Sequence, residues 1–423
     1  MIPLCVPEVR GNEWKYIKEC LDTNWVSSVG SFVDRFEQMV ANYVGANYTV
    51  ATVNGTAALH IALLVGGVEP NDEVLVSSLS FIAPANAIRY VGAWPVFVDA
   101  EPKYWQMDPE EAVDFLERGC RWSHGKLYNK GTGRRVKAIV PVHILGHPCD
   151  MDPILVVARK YDVVVIEDAT ESLGAKYLTK DRGPQTADGE DQSTVGGRRS
   201  SVVGHRSSVL SRWSAVGSLG DIACFSFNGN KIVTAGGGGM IVTNNEEWAI
   251  RARYLTTQAK DDPVEYIHKE IGYNYRLTNL QAAMGCGQME KLDEYIACKR
   301  GIAQTYAAAL GKVPGITCMA EASWASSTFW MYTILVDEAQ YGMNSRSLLS
   351  RLGEDRIEAR PLWQPLHLSP AHAGGRSAAC PVAEKIWRDS LSLPSSVSLL
   401  AEEQECVIER LVGFRGDSGK ARG

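Results

Sequence analysis

Val163-Val164-Val165-Ile166-Glu167-Asp168 is an apolar run without alternation, closed by two carboxylates. A strand with one face in water alternates apolar and polar side chains, so an unbroken β-branched run predicts a strand covered on both faces. Strands of that kind belong to parallel sheets packed between helices, and such sheets bind ligands at the carboxyl ends of their strands. Glu167 and Asp168 stand at that end.

Working outward, strand and helix signals alternate along the chain. Residues 48–53 are a short β-branched run, and Asn54-Gly55-Thr56-Ala57-Ala58-Leu59 reads as a helix opening directly after it, with unpaired amides pointing outward at the junction. Further units fall at 73–77, 85–90, 95–99, 136–141, 153–161 and 162–168. Upstream, helices are expected over 11–24 and 33–44, separated by a polar, glycine-containing stretch. Downstream, 220–226 and 240–243 read as two strands around a turn. After them come a helix over 279–296, a strand over 330–337, a helix over 345–352 and an amphipathic helix over 401–411. Alternation of this kind argues for an α/β fold with a mainly parallel sheet between helices.

The 423 residues are 45% apolar and 22% charged, enough to bury a large core. A large domain over 1–260 is expected, then interface helices and a smaller C-terminal α/β domain over 261–414, and a flexible tail over 415–423. Residues 178–217 are rich in charge, glycine and serine and read as a largely disordered insertion. A net charge of −6 gives no electrostatic footprint for nucleic acid. The opening residues lack a basic region followed by an apolar stretch, and no run reaches the roughly 18 apolar residues that span a bilayer, so a cytoplasmic enzyme is expected. Ten cysteines without a C-x-x-C pair point to reduced thiols, with neither a zinc site nor a disulfide framework.

Four features need one explanation: the strand-to-helix junction at Gly55-Thr56-Ala57, Asp168 at a strand end, Ser226 in Ser226-Phe227-Asn228-Gly229-Asn230-Lys231, and Asn274-Tyr275-Arg276. Taken singly each has a plain reading. Thr56 can be a helix cap, Asp168 a turn residue, and Lys231 a solvated lysine in a turn before four glycines. Together they suit pyridoxal 5'-phosphate (PLP). A lysine amine captures its aldehyde. A helix N-terminus with Thr56, Ala57 and Ser226 cradles its phosphate. A buried carboxylate, Asp168, keeps its ring nitrogen protonated so that the ring withdraws electrons.

The motifs around these residues, with Gly272-Tyr273-Asn274-Tyr275-Arg276-Leu277-Thr278-Asn279 and Ala359-Arg360-Pro361-Leu362-Trp363, resemble the PLP-dependent nucleotide-sugar aminotransferases of the DegT/DnrJ/StrS type, over nearly the whole chain apart from the insertion and tail. The resemblance implies the type I aminotransferase fold and a homodimer with shared active sites. It implies that Lys231 forms the Schiff base and moves the proton during transamination, that Asp168 pairs with the ring nitrogen, and that Thr56, Ala57 and Ser226 hold the phosphate. Asn274 of the partner subunit completes that cradle, and Phe81 stacks on the cofactor ring. Many family members carry Gln where this chain has Glu171, so the contact to the ring oxygen falls here on a carboxylate. His143 and Arg360 are candidate sugar-nucleotide contacts, His143 equally a hydrogen-bonded core histidine. Asn230 before the lysine, residues 128–135 and the opening Gly11-Asn12-Glu13-Trp14 resemble the legionaminic acid and bacillosamine pathway subgroup. That likeness implies amination at C4 of a UDP-linked 4-keto-6-deoxy-N-acetylhexosamine for surface glycan synthesis, with glutamate as donor.

Rival readings are separable on residues. The family's dehydratase branch replaces the lysine with His, and Lys231 argues against it. A cysteine desulfurase needs an activated thiol, and no cysteine here has activating neighbours. A non-catalytic PLP-binding homologue impaired by the insertion is the remaining alternative, and retention of both Lys231 and Asp168 argues against it.

Overall fold

The computed structural model describes residues 1–179, 212–262, 264–373, 375–377 and 379–417. Among these, eight strands form a central sheet in the spatial order Tyr48–Thr52, Gly239–Thr243, Ile222–Ser226, Val164–Asp168, Val136–Val140, Glu73–Ser77, Trp94–Val98, Arg376–Ser377. The Gly239–Thr243 strand is antiparallel to both its neighbours, and every other pairing is parallel. The strands ending at Thr52, Ser77, Asp168 and Ser226 therefore share one carboxyl edge. This is the type I PLP fold expected from the sequence.

Every residue of Val164–Asp168, Glu73–Ser77 and Gly239–Thr243 is buried, so the sheet is covered on both faces. The Gly55–Val65 helix packs on the strands beneath it and is buried almost throughout, because its side chains apart from Thr56 and His60 are apolar. Burying Leu59, Ile61 and Leu63, each almost fully shielded, contributes about 1.5–3 kcal/mol apiece. A second, antiparallel sheet of Ile316–Cys318, Tyr332–Val336 and Ser390–Leu393 follows, with the Leu292–Leu310 and Ala401–Asp417 helices packed together beside it. None of the described helices is long and apolar enough to cross a membrane.

Several expectations need revision. The helix read over 279–296 is two, Asn279–Met289 and Leu292–Leu310. At the break, Glu290 accepts hydrogen bonds from Asn12, just before the Glu13–Asp22 helix, from Tyr16 on it, and from Arg35 on the Ser31–Val44 helix, contacts between distant segments that periodicity does not register. The last helix runs to Asp417, past the boundary assigned to the flexible tail, and residues 418–423 lie outside the described residues. The disordered insertion was expected over 178–217, yet Lys176–Thr179 and Arg212–Ala215 pair as antiparallel strands, and Val216 is fully buried. Backbone pairing and apolar burial thus claim both ends of that stretch. The remainder, 180–211, lies outside the described residues.

Candidate active site

A cavity of about 440 Å³ opens at the carboxyl edge of the sheet. Its wall brings together Gly55 and Thr56 from a helix start, Asp168 and Glu171 from one strand end, Ser226 from the next, and Lys231 from the loop beyond. Phe81 lies on the rim, and Trp330, Met331 and Trp363 close the far side.

The loop carrying Lys231 is folded back on itself. Phe227 N–H donates to Gly238 O at 2.9 Å and Phe227 O accepts from Ala235 N–H at 2.9 Å, while Lys231 N–H donates to Asn228 O at 3.0 Å. The glycines make this possible: Gly238 has φ of +120°, and a Cβ on Gly239 would lie 2.5 Å from the backbone carbonyl carbon of Asn54. Lys231 Nζ donates to Glu171 Oε1 at 3.3 Å and lies 4.1 Å from the centre of the Trp330 ring. The Trp330 indole N–H donates in turn to Asn230 O at 2.7 Å, so the ring is fixed against the lysine loop.

Asp168 is fully buried and accepts a hydrogen bond from Thr170 N–H at 3.2 Å. Burial raises its proton affinity, against the pull of Thr170 and the positive charge of Lys231. Glu171, also buried, is pushed up by burial and held back by Lys231 and by the Leu145 N–H, which donates to Oε2 at 2.9 Å. The neighbouring Glu167 carries no ligand chemistry. Its Oε1 accepts from Leu219 and Gly220 N–H at 2.7 Å each, and its Oε2 from Gly217 N–H at 2.9 Å. It anchors the chain returning from the insertion to the strand that carries Asp168.

His143 does not reach the cavity. It is fully buried, its Nε2 lies 3.1 Å from Glu167 Oε2, and its Nδ1 accepts from Cys149 N–H at 3.0 Å. Both ring nitrogens are engaged by the protein, which leaves none for a substrate and corrects the expectation of a sugar-nucleotide contact. Ala57 lines no part of the cavity either, and its N–H is already donated to the Asn54 side chain at 2.8 Å, so the amides left at the helix start are those of Gly55 and Thr56. Asn274 is exposed and does not line this cavity. Arg360 lines an adjoining cavity of about 380 Å³ that shares Asn230, Met331 and Trp363 with the first.

Trp330, Trp363 and Asn54 were not singled out from sequence. Asn54 had a usable signal, a cap residue before the helix. Trp363 stands in the Ala359–Trp363 motif, a signal that gave it no role, and Trp330 had none, because it comes from a segment more than ninety residues away that only folding brings to Lys231.

The chain matches known proteins along most of its length. The family model described as the DegT/DnrJ/EryC1/StrS aminotransferase family matches residues 7–412. A GDP-perosamine synthase of Caulobacter vibrioides is 37% identical, the match covering 97% of each chain. The UDP-2-acetamido-2-deoxy-3-oxo-D-glucuronate aminotransferase of Pseudomonas aeruginosa is 30% identical over 86% of each. The PLP form of the Streptococcus pneumoniae sugar aminotransferase Spr1654 shares the fold, with a TM-score of 0.81 over 99% of both chains at 21% identity.

Proposed function

This chain belongs to the DegT/DnrJ/EryC1/StrS aminotransferase family, and on that premise we propose that it transfers an amino group from an amino acid, with glutamate as the expected donor, to a keto group of a nucleotide-linked sugar. The observation that carries this reading is a lysine amine and a buried carboxylate facing one cavity whose rim is a helix N-terminus. The family's cofactor is PLP, and the residues fit it. Hydroxyls of Thr56 and Ser226 and the amides of Gly55 and Thr56 suit a phosphate, Asp168 suits a ring nitrogen, and the glycines at 237 and 238 keep the cavity wall free of side chains. Bound PLP supplies an aldehyde that carries the amino group and a ring that withdraws electrons.

In this reading Asp168 holds a proton on the ring nitrogen, a role favoured by the proton affinity that burial gives it. Thr56 and Ser226 fix one end of the cofactor. Phe81 and Trp330 flank the cavity, orient its contents and exclude water. Lys231 holds and moves a proton at Nζ, and Arg360 in the adjoining cavity meets the anionic part of the sugar nucleotide. Residues 1–260 would form the cofactor-binding domain and 261–414 the second domain, so that Trp330 and Trp363 close the cavity from the latter. A homodimer belongs to the same proposal: Val264, Tyr266, Ile267 and Ile271 are exposed apolar residues just before Asn274, a surface suited to a second copy that receives Asn274 in its site.

Two sugars compete. The subgroup resemblance favours C4 of a UDP-linked 4-keto-6-deoxy-N-acetylhexosamine, whereas a relative named for GDP-perosamine, matched over nearly the whole chain, favours a GDP-linked keto sugar. Purified protein given PLP, glutamate and each keto sugar in turn is expected to form one amino sugar preferentially. PLP-loaded protein should absorb near the visible edge, and Lys231→Ala should lose that band. A protein that binds no PLP, or a K231A variant that keeps the band, refutes the reading.

A further inference from the structure

We propose that Glu171 is the proton-sharing partner of Lys231: Oε1 takes the ammonium proton from Nζ, leaving a neutral amine able to attack a carbonyl carbon, and returns it when the amine is freed. The step breaks one N–H bond and forms one O–H bond, so the pair passes from ammonium and carboxylate to amine and carboxylic acid without change of net charge. It rests on the reading of Lys231 as the reactive lysine and adds where its proton goes.

Geometry is the first argument. Glu171 Oε1 faces Nζ at 3.3 Å, and Oε2 is pinned by the Leu145 N–H at 2.9 Å, so the carboxylate cannot swing away without losing a buried hydrogen bond. The second argument is burial. The side chains of Lys231 and Glu171 are 13% and 5% exposed, which limits proton exchange with bulk water and makes the adjacent carboxylate the accessible acceptor. In water an ammonium and a carboxylate stay charged, but desolvation penalises both ions and brings the neutral pair closer in energy.

The surrounding charges set the balance. The carboxylate of Asp168 raises the proton affinity of Glu171, while the positive charge of Lys231 and the Leu145 N–H lower it. The Trp330 ring face lies over Nζ at 4.1 Å and holds the amine beside Glu171. These opposed influences suit a proton that moves back and forth.

The test uses the full-length protein with PLP removed. Acetylation of Lys231 by acetic anhydride, followed by peptide mass spectrometry from pH 6 to 10, reports how much neutral amine is present. Glu171→Gln removes the proton acceptor and should slow Lys231 acetylation at pH 7.5 by about tenfold or more, as loss of a general base does, whereas faster acetylation would mark Glu171 as a counter-ion only and overturn the proposal. Glu171→Asp keeps the charge and should stay near wild type. A Gln profile that superimposes on wild type overturns the proposal. Equal changes in the Gln and Asp variants assign the effect to packing and overturn it too. Reloading wild-type protein with PLP separates the two readings: absence of the visible-edge band refutes the reactive-lysine reading, whatever the acetylation profiles show.

Discussion

Asp168 and Lys231 come from different segments, and each has an ordinary reading taken alone. The fold supplies the missing argument by burying Asp168 completely and turning Lys231 into the same cavity. Asp168→Asn keeps the shape and the hydrogen bond from Thr170, but it cannot carry the charge that holds a ring-nitrogen proton. Turnover of the keto sugar by D168N should fall by about 10²–10³-fold, the usual loss for one preorganised electrostatic group, with the melting temperature little changed. Steady-state kinetics alongside a thermal melt checks this. At this scale residue types were legible and their surroundings were not. The sequence offered His143 as a ligand or a core residue with equal weight, and only the bonds to Glu167 and Cys149 decided it. For Ala57, the Asn54 side chain had already taken the amide.

The helix start at Gly55 and the strand that begins at Gly239 form one unit of construction. Their close approach leaves no room for a side chain at 239, where a Cβ would press on the Asn54 carbonyl. Gly239→Ala should therefore push the helix start aside, costing about 1–3 kcal/mol of stability as overpacking does. It should also weaken PLP binding, because the displaced amides are those assigned to the phosphate. Urea denaturation and PLP titration of the variant test both effects, and unchanged PLP affinity would remove this turn from the cradle. Most elements could be read from period and punctuation. The Thr278 to Gln281 capping box, for example, announces the helix it begins. The split at Glu290 and the paired strands flanking the insertion could not, since both depend on partners far away in sequence.

Across the whole molecule, contacts join parts distant in sequence, and His147 marks one of them. Buried and stacked on Tyr104, it accepts a hydrogen bond from Ala322 N–H at 3.1 Å, and burial pushes its pKa down to about 4. In the unfolded chain a histidine titrates near 6.5, so between these values the unfolded state binds the extra proton. The stability His147 contributes is fully present above about pH 6.5 and is lost as pH falls towards 4, about 3 kcal/mol in all. Denaturation midpoints of wild type and His147→Gln, compared from pH 7 to 4.5, should converge as pH falls. Parallel curves would show that His147 is not the group responsible. By itself the sequence determined the α/β class, the strand whose end carries Asp168, and the lysine loop, because periodicity, caps and glycines act through neighbours in the chain. Only the tertiary structure decided that Glu171 and Trp330 meet Lys231, that His143 is sealed in the core, and that Arg360 lies in a cavity next to the first. Those contacts arise from packing between segments tens to hundreds of residues apart, and no local pattern encodes which of them will touch.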